Sequence, residues 1–113
     1  MTLQLNDASL LKYQAYIDGH WVSADNGKTL TVTNPVDDSP LAEVASCGTE
    51  ETRRMIEAAN RAQPGWAAAT AKQRATLLRD WYNLIIEHQE DLARILTAEQ
   101  GKPLAEARGE ILY

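Results

Sequence analysis

From Leu77 to Leu96 the chain carries one long apolar stripe, and this constrains its folding more than any other feature. Leu77, Leu78, Trp81, Leu84, Ile85, His88, Leu92, Ile95 and Leu96 recur at steps of three and four residues. That spacing predicts a long amphipathic helix with one face buried. Its start is marked by Thr70-Ala71-Lys72-Gln73. There the Thr hydroxyl can accept from the N3 amide while the Gln side chain reaches back to the cap. Its end is marked by Glu99-Gln100-Gly101, with Gly101 suited to a left-handed C′ position. A one-sided helix of this length needs something to lie under it.

The rest of the chain divides around Cys47 into a strand-and-turn region, 1–47, and a helical region, 48–113. In the first region Tyr16-Ile17 and Trp21-Val22 flank Asp18-Gly19-His20, a hairpin signal because Gly accepts positive φ. Asp25-Asn26-Gly27-Lys28 is a second turn, and Thr29–Thr33 alternates Leu30 and Val32 with threonines as a half-buried strand does. Asn34-Pro35 should end that strand, since Pro has no ladder donor. Asp37–Pro40 reads as a turn and Leu41–Ala45 as a short strand.

In the second region Thr49 suits a helix N-cap, with Glu50 and Glu51 in the first turn. Met55, Ile56, Ala59 and Ala62 form a narrow apolar face, and Pro64-Gly65 is expected to stop the helix. A third helix opens at Pro103, which suits a first helical position. It runs through Leu104, Ala107 and Ile111 to Ile-Leu-Tyr with no closing signal. The expected architecture is therefore an α+β fragment: short antiparallel strands, then three helices, the second long and amphipathic and the third cut off by the C-terminus. The unfinished third helix suggests a truncated piece of a larger protein; the alternative is that Leu112 and Tyr113 tuck into a core.

Composition narrows the function classes. With 113 residues and 44% apolar residues, the chain could form one modest core. A net charge of −5 and scattered basic residues argue against nucleic acid or an anionic membrane as partner. Cys47 is the one cysteine, which excludes an internal disulfide and a thiolate zinc cage and fits a reducing compartment. The N-terminus lacks the basic and apolar regions of a signal peptide, and the cytoplasm is expected.

Catalytic constellations are nearly absent. His20 lies at a hairpin tip and His88 on the apolar stripe, where a hydrogen-bonded core or interface role is expected. Cys47 stands next to a helix start, which can lower a thiol pKa, yet no His lies nearby in sequence. No Gly-x-Gly-x-x-Gly or P-loop occurs. No catalytic or cofactor-binding residue is assigned.

Three stretches in order resemble the N-terminal end of the aldehyde dehydrogenase superfamily: Tyr16–Val22, Thr31–Pro35 and Glu99–Ala107. Between them, Ala58–Ala62 with Trp66, and Arg74–Arg79, match in order and spacing. Glu99–Leu104, the Trp81–Leu96 helix with Asp91-Leu92-Ala93, and Ala107–Glu110 are most similar to the succinate-semialdehyde dehydrogenase branch. The resemblance implies that the segment belongs to the outer layer of an α/β NAD(P)-binding domain. It implies a cysteine thiolate attacking the aldehyde, hydride passing to NAD or NADP, and a glutamate-assisted water releasing the acid. In the family those residues come later than the stretch matched here. Cys47 does not match the nucleophile position, and Asn34 belongs to the Asn-Pro turn rather than to an oxyanion site.

The resemblance also implies a structural monovalent cation held by the backbone carbonyls of Val32 and Thr33 and the carboxylate of Glu99, where the family more often has Asp. A hard cation takes such oxygen ligands; alternatively, Glu99 pairs with a local donor near Gly101 or Lys102. The function implied is that of the N-terminal portion of a semialdehyde dehydrogenase, inactive alone. Its partner would be the remainder of the chain, in a homo-oligomeric parent. The competing reading is a non-catalytic helical module that binds a partner through the Leu77–Leu96 face.

Overall fold

A computed structural model describes residues 3–113. An N-terminal arm containing a short 3₁₀ turn, Ala8–Leu10, leads into two hairpins and four helices. Strands β1 (Ala15–Ile17) and β2 (His20–Val22) pair antiparallel, as do β3 (Thr29–Thr33) and β4 (Pro40–Ala45). Helices α1 (Thr49–Ala68), α2 (Ala71–Glu87), α3 (Gln89–Gln100) and α4 (Leu104–Leu112) follow. None of these is long and apolar enough to cross a membrane.

The hairpins form where turn chemistry places them. Asp18 (φ 51°) and Gly19 (φ 79°) are both left-handed, as a two-residue hairpin loop with the right twist requires. The loop is these two residues alone, so His20 is the first residue of β2, opposite Ile17, rather than the tip. Gly27 (φ 70°) closes the next turn by donating to the Ala24 carbonyl at 2.9 Å. On β3 the alternation holds only in part: Val32 is half-buried, but Leu30, further along the same face, is exposed.

The expected long helix is two. The chain breaks at His88 (φ −99°, ψ 15°), which ends α2 and caps α3. The break re-aims α3 so that it packs on α4, where Ala93 and Ala107 are both fully buried. Small side chains at that contact let the two helices approach closely. The total is therefore four helices rather than three. Most of the α2 half of the stripe is not covered: Leu77, Leu78, Trp81 and Leu84 are exposed, Trp81 by 64%, while Ile85 is half-buried. Leu92, Ile95 and Leu96 on α3 are half-buried.

Three boundaries also differ from expectation. Helix α1 continues through Pro64-Gly65 to Ala68. Pro64 removes one intrahelical donor, but the Ala-rich end continues and Arg74 donates from Nη1 to the carbonyls of Ala67 and Ala69 beyond it. The α1 N-cap is Gly48, not Thr49, because Glu51 reaches back to the Gly48 N–H at 2.8 Å. Pro103 is the N-cap of α4 rather than its first residue, and its carbonyl accepts from Glu106 and Ala107 at 3.0 Å each. Elsewhere the signals hold: Thr70 and Gln73 form the reciprocal cap at 2.9 and 3.2 Å, and Gly101 (φ 85°) ends α3 left-handed.

With few large apolar side chains buried, polar ties carry much of the tertiary organisation. Glu51, only 4% exposed, accepts from the Asp25 N–H at 2.7 Å and so fastens the loop after β2 to α1. Asp91, only 2% exposed, accepts from the arm through the Asn6 and Asp7 N–H groups at 2.9 and 2.8 Å. These amides hold both carboxyls below the usual carboxylate range against the cost of burial. Between α3 and α4, Arg108 grips Glu90 with two bonds of 2.7 and 3.0 Å, and Arg94 adds a third at 3.1 Å.

Two predictions follow from these ties and turns. Gly101→Ala should destabilise the chain by about 1–2 kcal/mol, since a left-handed residue would acquire a Cβ lying 3.0 Å from Pro35 Cγ. Gly65→Ala and Gly109→Ala, both helical with open space around them, should stabilise by up to about 1 kcal/mol each; urea denaturation of the longer protein distinguishes the three. The Arg108 hydrogen bonds, foremost, draw Glu90 from its ordinary 4.5 to about 2. A lowered carboxyl contributes stability above its ordinary value and loses it as pH falls toward the folded one. Arg108→Ala should therefore flatten the acid limb of the stability curve between pH 4.5 and about 2, read by circular dichroism.

Candidate functional site

Two turns follow the expected cation residues, one after Val32 and Thr33 at the end of β3 and one after Glu99 at the end of α3. Strand β3 ends in a register irregularity between Val32 and Thr33, and Thr33 stands opposite Pro40. Pro40 has no N–H to give, so the ladder loosens at this end. The chain then folds into a tight loop: Asn34 donates its N–H to the Ser39 carbonyl at 2.9 Å and accepts from Asp38 N–H at 2.8 Å. Asn34 Oδ1 accepts from Val36 N–H at 2.9 Å, an Asx turn that occupies its amide oxygen locally. This presents Pro35 outward from the loop.

Pro35 meets the turn between α3 and α4. Gly101 donates its N–H to Thr97 O at 2.9 Å, and a Cβ built on Gly101 would lie 3.0 Å from Pro35 Cγ. Glycine is needed here twice over, for its positive φ and for the approach of Pro35. The Asn34-Pro35 and Gly101-Lys102-Pro103 motifs, far apart in sequence, are thus one contact in space. Beside it lies a cavity of about 250 Å³ lined by Leu3, Asn34, Arg94, Thr97, Gly101 and Leu104 among others. Thr97 Oγ1 is buried and has no hydrogen-bond partner among the described residues. Lys102 pairs with Glu110 of α4.

Of the cation candidates, Val32 is half-buried, Thr33 is exposed beside the irregularity, and Glu99 is exposed in the last turn of α3. The Pro35–Gly101 contact brings their two loops together. Among the described residues no group of three or more His, Cys, Asp or Glu could hold a metal ion.

His20, His88 and Cys47 do not line that cavity. His20 is exposed, with Nδ1 2.8 Å from the Asp18 carbonyl, which makes that nitrogen the donor. His88 is half-buried at the α2–α3 break, and Cys47 is a half-buried free thiol ahead of α1. A second cavity, of about 350 Å³, lies between the first hairpin and α1, with His20, Arg54 and Arg61 in its wall. Both arginines are already paired: Arg54 forks onto Asp25 at 2.7 and 2.8 Å, and Arg61 reaches Asp18 at 3.3 Å. The two buried carboxylates, Glu51 and Asp91, carry no periodic signal as ties. An acidic residue three positions after the cap was the one mark that could have pointed to them.

Comparison with known proteins agrees with this geometry. The aldehyde dehydrogenase family matches residues 21–113. The chain is 57% identical to the succinate-semialdehyde dehydrogenase [NADP(+)] GabD of Escherichia coli (strain K12) over 111 residues, which is 98% of this chain and 23% of that protein. It is 58% identical to the glutarate-semialdehyde dehydrogenase of Pseudomonas putida (strain KT2440), again over 98% of this chain and 23% of that protein. The crystal structure of an aldehyde dehydrogenase from Brucella melitensis biovar abortus 2308 superposes with a TM-score of 0.97 at 51% identity, over 99% of this chain and 23% of that one. The chain thus spans under a quarter of the length of these proteins. Matched in sequence across nearly all its residues and in backbone across both hairpins and all four helices, the chain belongs to the aldehyde dehydrogenase family.

Proposed function

We propose that this chain is the N-terminal segment of an NAD(P)-dependent semialdehyde dehydrogenase and serves that reaction only as part of the longer protein. The observation that carries this reading is its identity of 57–58% to enzymes named for succinate and glutarate semialdehyde, over less than a quarter of their length. Succinate semialdehyde, oxidised to succinate, is the preferred substrate, with NADP or NAD as hydride acceptor in the whole protein. No residue of this chain is assigned to catalysis or to the cofactor. Cys47 and both histidines have the structural settings described above.

What the chain contributes is a layer. The exposed α2 face of Leu77, Leu78, Trp81 and Leu84 is a surface for the remainder of the polypeptide, in the cofactor-binding domain of a cytoplasmic homo-oligomer. The same face supports a second reading, a helical module that binds a separate partner. That reading needs a cooperative fold for the isolated chain, and it does not account for the ordered match to the dehydrogenases.

A structural role is also proposed for Val32, Thr33 and Glu99. Two carbonyls at the loosened end of β3 and a carboxylate on α3 would hold a monovalent cation beside the Pro35–Gly101 contact, with a further oxygen from outside this chain.

Activity is tested with the purified 113-residue chain. It should reduce neither NAD⁺ nor NADP⁺ with succinate semialdehyde, and any turnover above the enzyme-free rate would contradict the proposal. It should also bind a hydrophobic dye and melt over a broad range; a sharp, dye-silent transition would favour the helical module. In the longer protein, Glu99→Gln should abolish stabilisation by added sodium or potassium salt relative to a large organic cation, read as a shift in melting temperature. An undiminished shift would remove Glu99 from the cation site.

A further inference from the structure

Every hydrogen bond that Asp91 accepts among the described residues comes from the N-terminal arm. Oδ1 takes the Asn6 N–H at 2.9 Å and the Asn6 side-chain amide at 3.2 Å, and Oδ2 takes the Asp7 N–H at 2.8 Å. Arg94, one turn further along α3, donates from Nη1 to the Gln4 carbonyl at 2.9 Å. The other end of the arm is tied to the sheet, where the Tyr13 carbonyl accepts from the Ala45 N–H of β4 at 2.8 Å. Leu3 reaches the cavity shared by Asn34 and Gly101. Leu5 and Leu11 line a third cavity, of about 450 Å³, with Pro40 and Leu41 of the β3–β4 hairpin.

The arm is thus anchored on α3 at one end and on β4 at the other. Its own residues are half-buried or exposed, so the anchorage on α3 is mainly polar. Helix α3 does not depend on it for apolar burial, since Ala93 lies fully buried on the side taken by α4. A released Asp91 would be hydrated, which makes the tie reversible in a way that a buried leucine is not. We propose that the N-terminal arm is a strap latched by Asp91, which sets how the β3–β4 hairpin sits on α3 and so fits Pro35 against Gly101. Asp91 is in this sense a positioning residue.

The charged groups facing the latch keep it closed at neutral pH. The arm amides favour the anion most, Arg94 adds to them, and Asp7 opposes; His88 and Lys12 act on Asp7. A carboxyl held below its ordinary 3.8 loses its contribution only as pH falls below that value. The strap is therefore opened by strong acid, by a change of sequence or by a competing contact.

Two variants attack the latch from opposite sides. Asp91→Asn keeps the shape and turns an NH₂ group toward one of the arm amides. Asn6→Pro removes both Asn6 donors and leaves α3 untouched. Amide hydrogen exchange is read by mass spectrometry in the longer protein, in peptides that contain Asp7, Ala45, Ala93 and Ala107. Both variants should speed exchange at Asp7 and Ala45 by about tenfold or more, with Ala93 and Ala107 changed by less than about twofold. The proposal is overturned by unprotected Asp7 and Ala45 amides in the unmodified chain or by unchanged exchange in both variants. Equal acceleration at Ala93 and Ala107 in both variants would also overturn it, because the arm would then be part of the helical fold rather than a strap on it.

Discussion

Two carboxylates at the same helical position organise this chain. Glu51 and Asp91 each stand three residues beyond the N-cap of their helices, α1 and α3, and each is almost completely removed from water. A helix N-terminus favours a negative charge there. Each also accepts a backbone N–H from a segment distant in sequence: Asp25 after the first hairpin, and Asn6 with Asp7 in the arm. The β-structure is thereby moored to the helices by ion–dipole hydrogen bonds rather than by a thick apolar layer. The buried apolar residues among those described are Ile17, Ala24, Ala58, Ala93 and Ala107, most of them too small to supply such a layer.

The thinness of that core makes the α2 face informative. A surface of Leu77, Leu78, Trp81 and Leu84 left in water costs free energy unless something covers it. Helices α3 and α4 solve the same problem between themselves with alanines and the Arg108–Glu90–Arg94 cluster. Among the described residues the α2 face of Leu77, Leu78, Trp81 and Leu84 has no such cover. Family membership and the small share of the relatives' length that the chain spans give that surface its proposed partner, the rest of a dehydrogenase polypeptide.

What could be read from the residues was mostly local. Asp18-Gly19, Thr70 with Gln73, and Gly101 each state their conformation through turn and cap chemistry, and each adopts it. The break at His88 was hidden because periodicity continues across it; the apolar pattern is the same for one long helix and for two. Pro64 misled because it stands in the last turns of α1, where one lost donor does not end the helix, and Arg74 bonds the final carbonyls at Ala67 and Ala69. The mooring carboxylates were invisible for another reason: Gly48 replaces the Ser or Thr that would have marked a cap three residues before Glu51, and a donor from the arm leaves no trace in sequence spacing. The meeting of Pro35 with Gly101 is a tertiary fact, although the resemblance had already named both turns as family motifs.

The central claim is that the α2 face is an interior surface of a longer dehydrogenase. It is tested most directly by hydroxyl-radical footprinting of Trp81 in two settings: the 113-residue chain alone, and a chimera in which this chain replaces the matching N-terminal segment of the Escherichia coli relative. The account predicts rapid oxidation of Trp81 in the isolated chain and strong protection in a chimera that oxidises succinate semialdehyde with NADP⁺. An active chimera in which Trp81 oxidises as fast as in the isolated chain would contradict it.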